Sequence, residues 1–330
     1  MRRWALVVIV LAALAVPVVA PVTPAVAGFS GPLGGDTIAL SVKGVAHNTS
    51  SDPGHMVFTV PVFSLVDGSA AGSLTDEIRC APVLALPCTV FDVTTTYHLP
   101  AGDIVNEGRW SGMPDLSHPG FLLVGTRPDH DTITGGTLAY TGAGGRVNGW
   151  GTVDADALPA ELGYDIFTVI RLAPGGERVI GTGDRLSTHP PADRIAQYFE
   201  SDGRNTADEP FHLVARTTLY SLADAQRFGN ALDDVTCAFG PPPCAVLDVV
   251  THFAYDGGEL EVRSRVSATP DPQRLGFALV GSRPGADTVT NASGIFAGKT
   301  GKVDISGWVD LRHFPFEAPF EGISLITLHP

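Results

Sequence analysis

A chain of 330 residues, 44% of them apolar, is long enough for two ordinary domains and excludes a single small stapled one. Charged residues make up only 17%, whereas 38 glycines and 26 prolines punctuate the chain, a balance that favours many short strands over long charged helices. The formal charge of −14 argues against a phosphate-backbone partner, which calls for clustered positive charge, so nucleic acid is not the expected ligand.

At the amino terminus Arg2 and Arg3 precede an apolar run that Pro17 interrupts. The run ends in Ala25, Val26 and Ala27, small residues of the kind found at a signal-peptidase site. Residues 1–27 therefore read as a secretory signal peptide cleaved after Ala27. A retained membrane anchor is the competing reading, weakened because the uninterrupted apolar stretch at 4–16 is short for crossing hydrocarbon. No later segment has the length of a membrane span, so the expected product is secreted, extracellular or in the cell envelope, without membrane contact.

From residue 36 onward, short apolar or alternating runs are separated by turn signals such as Val66-Asp67-Gly68 and Pro100-Ala101-Gly102-Asp103, the spacing of antiparallel hairpins. Cys80 and Cys88 bracket a short loop in this stretch. The run FLLVGTRP at 121–128 begins apolar on both faces, so one face is expected to fill a core. The other is expected to be covered by a sister domain or another subunit, which leaves room for a homo-oligomer. The glycine-rich segment at 133–147 lacks the Gly-Lys-Ser/Thr of a phosphate-binding loop and leads into strand-like Val147-Asn148-Gly149-Trp150, so phosphate cradling is not expected.

These elements then return. FALVGSRP at 277–284 repeats FLLVGTRP at a displacement of 156, which also carries Asp92 onto Asp248, Asp131 onto Asp287 and Gly142 onto Gly298. Upstream, a displacement of 157 superposes VFSL at 62–65 on LYSL at 219–222. A period this long matches a whole domain with its own core. The expected organisation is a signal peptide at 1–27, a first β-barrel at 28–172, a Gly-, Pro- and polar-rich linker at 173–192 and a second β-barrel at 193–330. About seven or eight strands per copy suffice to close a barrel and remove exposed sheet edges. Cys237 and Cys244 recur at the place of Cys80 and Cys88, so two local disulfides are the natural reading in an exported chain. Metal binding is the runner-up, disfavoured by the wide spacing and the lack of a nearby histidine, and no metal site is expected.

The segment from Gly135-Gly136-Thr137-Leu138 through Tyr140, Gly142, Gly145 and Val147 resembles the allene oxide cyclase/dirigent-type barrel family. Members of that family carry Gly-Gly-Thr-Gly-x-(Tyr/Phe)-x-Gly-Ala-x-Gly-x-Val, and Leu138 stands where the family has a glycine. The second copy keeps the pattern from Gly294 onward. The resemblance implies an all-β fold of two tandem eight-stranded antiparallel β-barrels and a mostly apolar interior holding a small hydrophobic molecule. It further implies cyclisation or radical coupling steered by the shape of the site, with no cofactor. It places no catalytic residue on this chain.

Comparing the copies sorts inward from outward positions. Ile104, Asn106, Gly108 and Trp110 share one strand face, equivalent to Leu260, Val262, Ser264 and Val266, and this more apolar set should face the interior. Glu107 and Arg109 on the other face read as a solvated pair. Asn106 and Trp110 put an amide and an indole where the second copy has valines, and Tyr97 offers a hydroxyl where it has Phe253. These three are the candidate ligand-binding residues, with plain structural filling as the alternative. Asp92 and Asp248 read as sharing a turn or inter-barrel role, Asp131 as a turn-capping aspartate, and His55 and His212 as making a structural hydrogen bond at a strand start. No Gly-x-Ser-x-Gly motif or serine triad supports a hydrolase.

The expected function is that of a secreted tandem barrel binding a small hydrophobic molecule, acting as a cofactor-free isomerase or cyclase through orientation and exclusion of water. The amino-terminal barrel, with the fuller motif and the polar substitutions, is the better site candidate. The rival is a non-catalytic binding or structural module with filled barrels. Interior volumes of roughly 300 Å³ or more would separate the two.

Overall fold

The computed structural model describes residues 36–52, 54–81, 88–126, 131–173, 193–207, 212–224, 226–238, 244–282 and 287–330. The expected signal peptide and residues 174–192 of the expected linker lie outside the described residues. The protein is all-β, and its alternating apolar runs close into two antiparallel barrels in tandem. The first comprises β1 (Asp36–His47), β2 (His55–Ser64), β3 (Ala70–Cys80), β4 (Val90–Leu99), β5 (Gly102–Pro114), β6 (Phe121–Thr126), β7 (Thr132–Gly136), β8 (Gly144–Asp154) and β9 (Glu161–Ala173). The second repeats them as β10 (Arg194–Ser201), β11 (Leu213–Ser221), β12 (Arg227–Cys237), β13 (Val246–Tyr255), β14 (Gly258–Pro270), β15 (Phe277–Ser282), β16 (Asp287–Ala292), β17 (Thr300–Asp310) and β18 (Phe320–His329).

Nine strands make an eight-stranded ring because β6 and β7 are two halves of one interrupted strand. Both lie between β5 and β8: β6 pairs with β5 from Trp110 to Pro114, and β7 pairs with it from Ile104 to Glu107. The ring closes through β1 against β9 and β4 against β5, and the second barrel closes in the same order. Closure leaves every long strand paired on both sides, which removes the edges that invite aggregation.

The interruption leaves Gly108 and Arg109, which pair with β4 on one side, without a strand partner on the other, and Asp131 fills the gap. Its Oδ1 accepts the Arg109 amide at 3.1 Å, and a Cβ on Gly108 would lie 2.0 Å from its carboxyl carbon. Asp287 Oδ1 accepts the Arg265 amide at the same distance in the second barrel. The expected turn-capping role is thus corrected: the two aspartates recur because each satisfies a ladder donor that no backbone carbonyl reaches. Asp92 and Asp248 are corrected as well. Each makes an exposed cross-strand ion pair, Asp92 with Arg109 Nε at 2.7 Å and Asp248 with Arg265 Nε at 2.8 Å, so Arg109 pairs with Asp92 and not with Glu107. His212 makes the expected hydrogen bond, its Nε2 with Asp234 Oδ1 at 2.7 Å, whereas His55 Nε2 stands 3.4 Å from Glu77 without a hydrogen bond, so the expectation is corrected for His55.

The glycine-rich segment forms the end of β7, a 3₁₀ turn at Leu138–Tyr140 and the start of β8. Leu138 sits in the left-handed region at φ 49°, and its counterpart Gly294 has φ 60°. A glycine takes that conformation without steric penalty, so the turn itself explains why the motif has glycine there. The cysteine pairs lie at disulfide distance, with Cα atoms 5.8 Å apart for Cys80 and Cys88 and 5.6 Å apart for Cys237 and Cys244.

The barrels pack against each other through the faces that read apolar on both sides. From Val147 to Val153 every residue of β8 is buried. A Cβ on Gly281 would lie 2.8 Å from Leu123 Cδ2, and one on Gly125 would lie 2.8 Å from Leu279 Cδ2, so each leucine seats over the other barrel's glycine. The polar contacts are reciprocal too. Ser111 Oγ donates to Asp271 at 2.6 Å and Ser267 Oγ donates to Asp115, while the Ser117 amide and Gln273 Nε2 each donate to the opposite serine hydroxyl. Equivalent residues exchange partners across the contact, the pattern of an isologous dimer built within one chain.

Candidate functional site

The described residues of each barrel line an interior concavity in the same place, at the end where β3 and β12 finish at a cysteine. In the amino-terminal barrel it measures about 60 Å³ and in the carboxy-terminal barrel about 210 Å³. The more spacious barrel is therefore the second, contrary to expectation, and neither concavity reaches the volume set for a roomy pocket.

Side-chain size at equivalent positions accounts for the difference. Trp110, Phe91 and Leu162 line the small cavity, and Val266, Leu247 and Ala318 stand at the same positions around the larger one. Trp110 is accommodated by Gly149: a Cβ there would lie 2.6 Å from Trp110 Cη2, and the second barrel has Ile305 instead. The volume that the indole occupies in one barrel is divided between a valine, an isoleucine and empty space in the other.

The three predicted ligand residues all point into the amino-terminal barrel, but only Trp110 borders its cavity, and there it acts as filling. Tyr97 and Asn106 are each 1% exposed and lie in the packed middle of the barrel. Burial and the neighbouring Asp76 and Asp131 push the Tyr97 hydroxyl's pKa upward, and Thr168 pulls the other way. Both amide atoms of Asn106 lack a hydrogen-bond partner among the described residues.

The larger cavity has aromatic and aliphatic walls, with Phe199, Leu219, Val249, Phe253 and Phe320 among them. Leu311 and Phe314, each 40% exposed, stand at its mouth beside the Cys237–Cys244 pair. Inward from that mouth β12 presents Cys237, Val235, Asp233 and Ala231, which places Asp233 about 13 Å along the strand from the cysteine. Asp233 is the one carboxyl among the described lining residues. Both its oxygens are held: Thr251 Oγ1 donates to Oδ1 at 2.7 Å and Thr217 Oγ1 donates to Oδ2 at 2.5 Å. Burial drives its pKa above the usual carboxylate range, against the pull of the two threonines and of His252.

The first barrel holds the counterpart, Asp76, which accepts Thr95 Oγ1 at 2.6 Å and is pushed up to about 6 by burial, against the Thr95 and Tyr164 hydroxyls. Asp131 is pushed up to about 8 by burial, against the Arg109 amide and the Trp110 indole, and Asp287 to about 6 for the same cause. Asp76 and Asp233 were not singled out from sequence, although a displacement of 157 superposes them and one of 156 superposes Thr95 on Thr251. Extending the comparison of the copies to β3 and β12 would have found them.

A broader groove of about 990 Å³ lies on the outer face of the second barrel, lined by Glu200, Arg216, Tyr220, Arg227, His252 and Glu261 among others. It is open to water and mixes both signs of charge, so no single chemistry converges there. Among the described residues no group of His, Cys, Asp and Glu side chains is arranged to hold a metal ion, and no helix is long and apolar enough to cross a membrane. No family model, curated protein or solved structure matches this chain.

Proposed function

We propose that the protein binds a small apolar molecule inside its carboxy-terminal barrel, and that the amino-terminal barrel is a packed structural partner. The observation that carries this reading is the cavity of about 210 Å³ with its apolar walls and, among the described lining residues, one part-buried carboxyl, set beside an equivalent cavity of only about 60 Å³. The cavity lies below the volume set for a roomy pocket, so its ligand is of benzene size or somewhat larger. Its filled sister supports the structural half of the reading.

Export belongs to the same proposal. Residues 1–27 act as the signal, and the two cystine pairs suit an oxidising compartment. The resemblance to allene oxide cyclase/dirigent-type barrels adds a cofactor-free isomerisation or cyclisation. In that reading the walls hold the substrate folded and dry, and Asp233 is the polar group that orients it at the cavity wall.

The test is ligand-observed NMR with naphthalene as the apolar probe. Saturable binding is expected for the native chain. It should be lost in the double variant Leu247→Phe/Ala318→Leu, which installs the first barrel's occupants in the second. Absence of saturable binding to the native chain, or equal binding to the filled variant, overturns the proposal.

A further inference from the structure

We propose that the carboxy-terminal cavity is built for an apolar amine, a compact hydrocarbon body carrying one basic nitrogen that pairs with Asp233. The inference rests on the binding role proposed above and names the chemistry of the ligand.

The sign of the charge comes first. Asp233 is the one carboxyl among the described lining residues, and no lysine or arginine is among them. A buried carboxylate without a counter-charge is costly, and two threonine hydroxyls fix its orientation without neutralising it. An anionic ligand would place a second negative charge beside it. A neutral alcohol would add a hydrogen bond and leave the charge uncompensated. An ammonium group supplies donor and counter-charge together, in the short charge-assisted geometry that is the strongest of the three.

The second argument comes from the sister barrel. Asp76 has the Tyr164 hydroxyl as a neighbour, and the residue at that position in the second barrel is Phe320. Tyr97 is likewise replaced by Phe253. The carboxyl has been kept while two tyrosine hydroxyls near it have been removed and one threonine, Thr217, stands where the first barrel has Val60, so the second barrel retains the acceptor and exchanges bulky wall donors for a small one that leaves space beside it. A ligand N–H takes the place that Tyr164 occupies beside Asp76. The formal charge of −14 favours the approach of a cation over that of an anion.

Calorimetric titration at pH 7 with three ligands of one shape, 2-aminoindane, 2-indanol and indane, tests the inference. The amine is expected to bind about tenfold or more tighter than indane, as for a hydrogen bond to a charged group. Asp233→Asn should collapse that ratio towards one. Phe320→Tyr, which restores the first barrel's hydroxyl beside the carboxyl, should lower it as well and covers the case in which the asparagine variant does not fold. If indane binds as tightly as the amine, or the ratio survives both substitutions, the amine assignment is overturned while the cavity keeps its binding role. If none of the three binds, the binding role itself is overturned.

Discussion

The two barrels share strand order, closure, cysteine pairs and a buried carboxyl on the third strand, yet one interior is filled and the other is partly open. The first barrel places Trp110 against Gly149 and rings Asp76 with hydroxyl groups. The second places Val266 beside Ile305 and sets Asp233, held by Thr217 and Thr251, in a cavity walled by phenylalanines. Around the cavity, polarity and packing therefore moved together: the fuller barrel has tryptophan and tyrosine where the emptier one has valine and phenylalanine. A polar residue inside a barrel is thus not by itself a sign of a ligand. Tyr97 and Asn106 belong to the packed interior, whereas the conspicuous feature of the open barrel is what it lacks.

The sharpest way to break the comparison is Trp110→Ala. Removing the indole opposite Gly149 should cost about 3–5 kcal/mol, read from denaturant midpoints, and should open in the first barrel a cavity like that of the second. Val266→Ala should cost clearly less, because the lost methyl groups already border empty space. Equal costs would mean that the volumes of the two interiors do not determine their stability.

Acid–base behaviour separates the barrels next. Asp131 has a folded pKa of about 8, above its unfolded value near 3.8, so its neutral form stabilises the fold fully below about pH 4 and that stabilisation is lost as pH rises through 8. For Asp287 the loss is complete once pH passes about 6. Thermal midpoints measured from pH 4 to 9 should therefore fall with pH. Asp131→Asn, which keeps an acceptor for the Arg109 amide, should remove the part of the fall between pH 6 and 8, and Asp287→Asn should leave that part in place. Identical profiles for the two variants would contradict this assignment.

The interface offers a smaller contrast. Asp271 keeps Arg274 Nε at 2.7 Å and the Gln273 amide when Ser111 is lost, whereas Asp115 keeps only its bonds to Ser117 when Ser267 is lost. Ser267→Ala should accordingly destabilise by about 1 kcal/mol more than Ser111→Ala, a difference set by the less well satisfied carboxylate left behind. The smallest expected effect is a gain. Leu138→Gly relieves a left-handed residue whose side chain is 78% exposed and should stabilise by up to about 1 kcal/mol, while Gly294→Leu in the other copy should destabilise. Opposite signs for the two exchanges are the check.

Much of this architecture was legible in the chain itself. Alternating apolar runs between turn residues specify strands, because side chains of an extended backbone alternate between faces, and the internal duplication specifies two barrels. The comparison of Ile104 through Trp110 with Leu260 through Val266 assigned the inward face of a strand correctly for the same reason. The doubly apolar FLLV run foretold a covered outer face, since water would otherwise meet it. What periodicity does not carry is distance across a closed ring. Whether Trp110 borders space or fills it depends on Gly149, two strands away around the wall; Asp131 turns inward because an interrupted strand leaves one amide without a carbonyl; and Asp233 meets the cavity because Thr217 and Thr251 on the flanking strands hold it there. Face and repeat are properties of neighbours along the chain, which the sequence determines, whereas volume and the pairing of buried charges depend on residues far apart in it, and only the closed tertiary structure decides them.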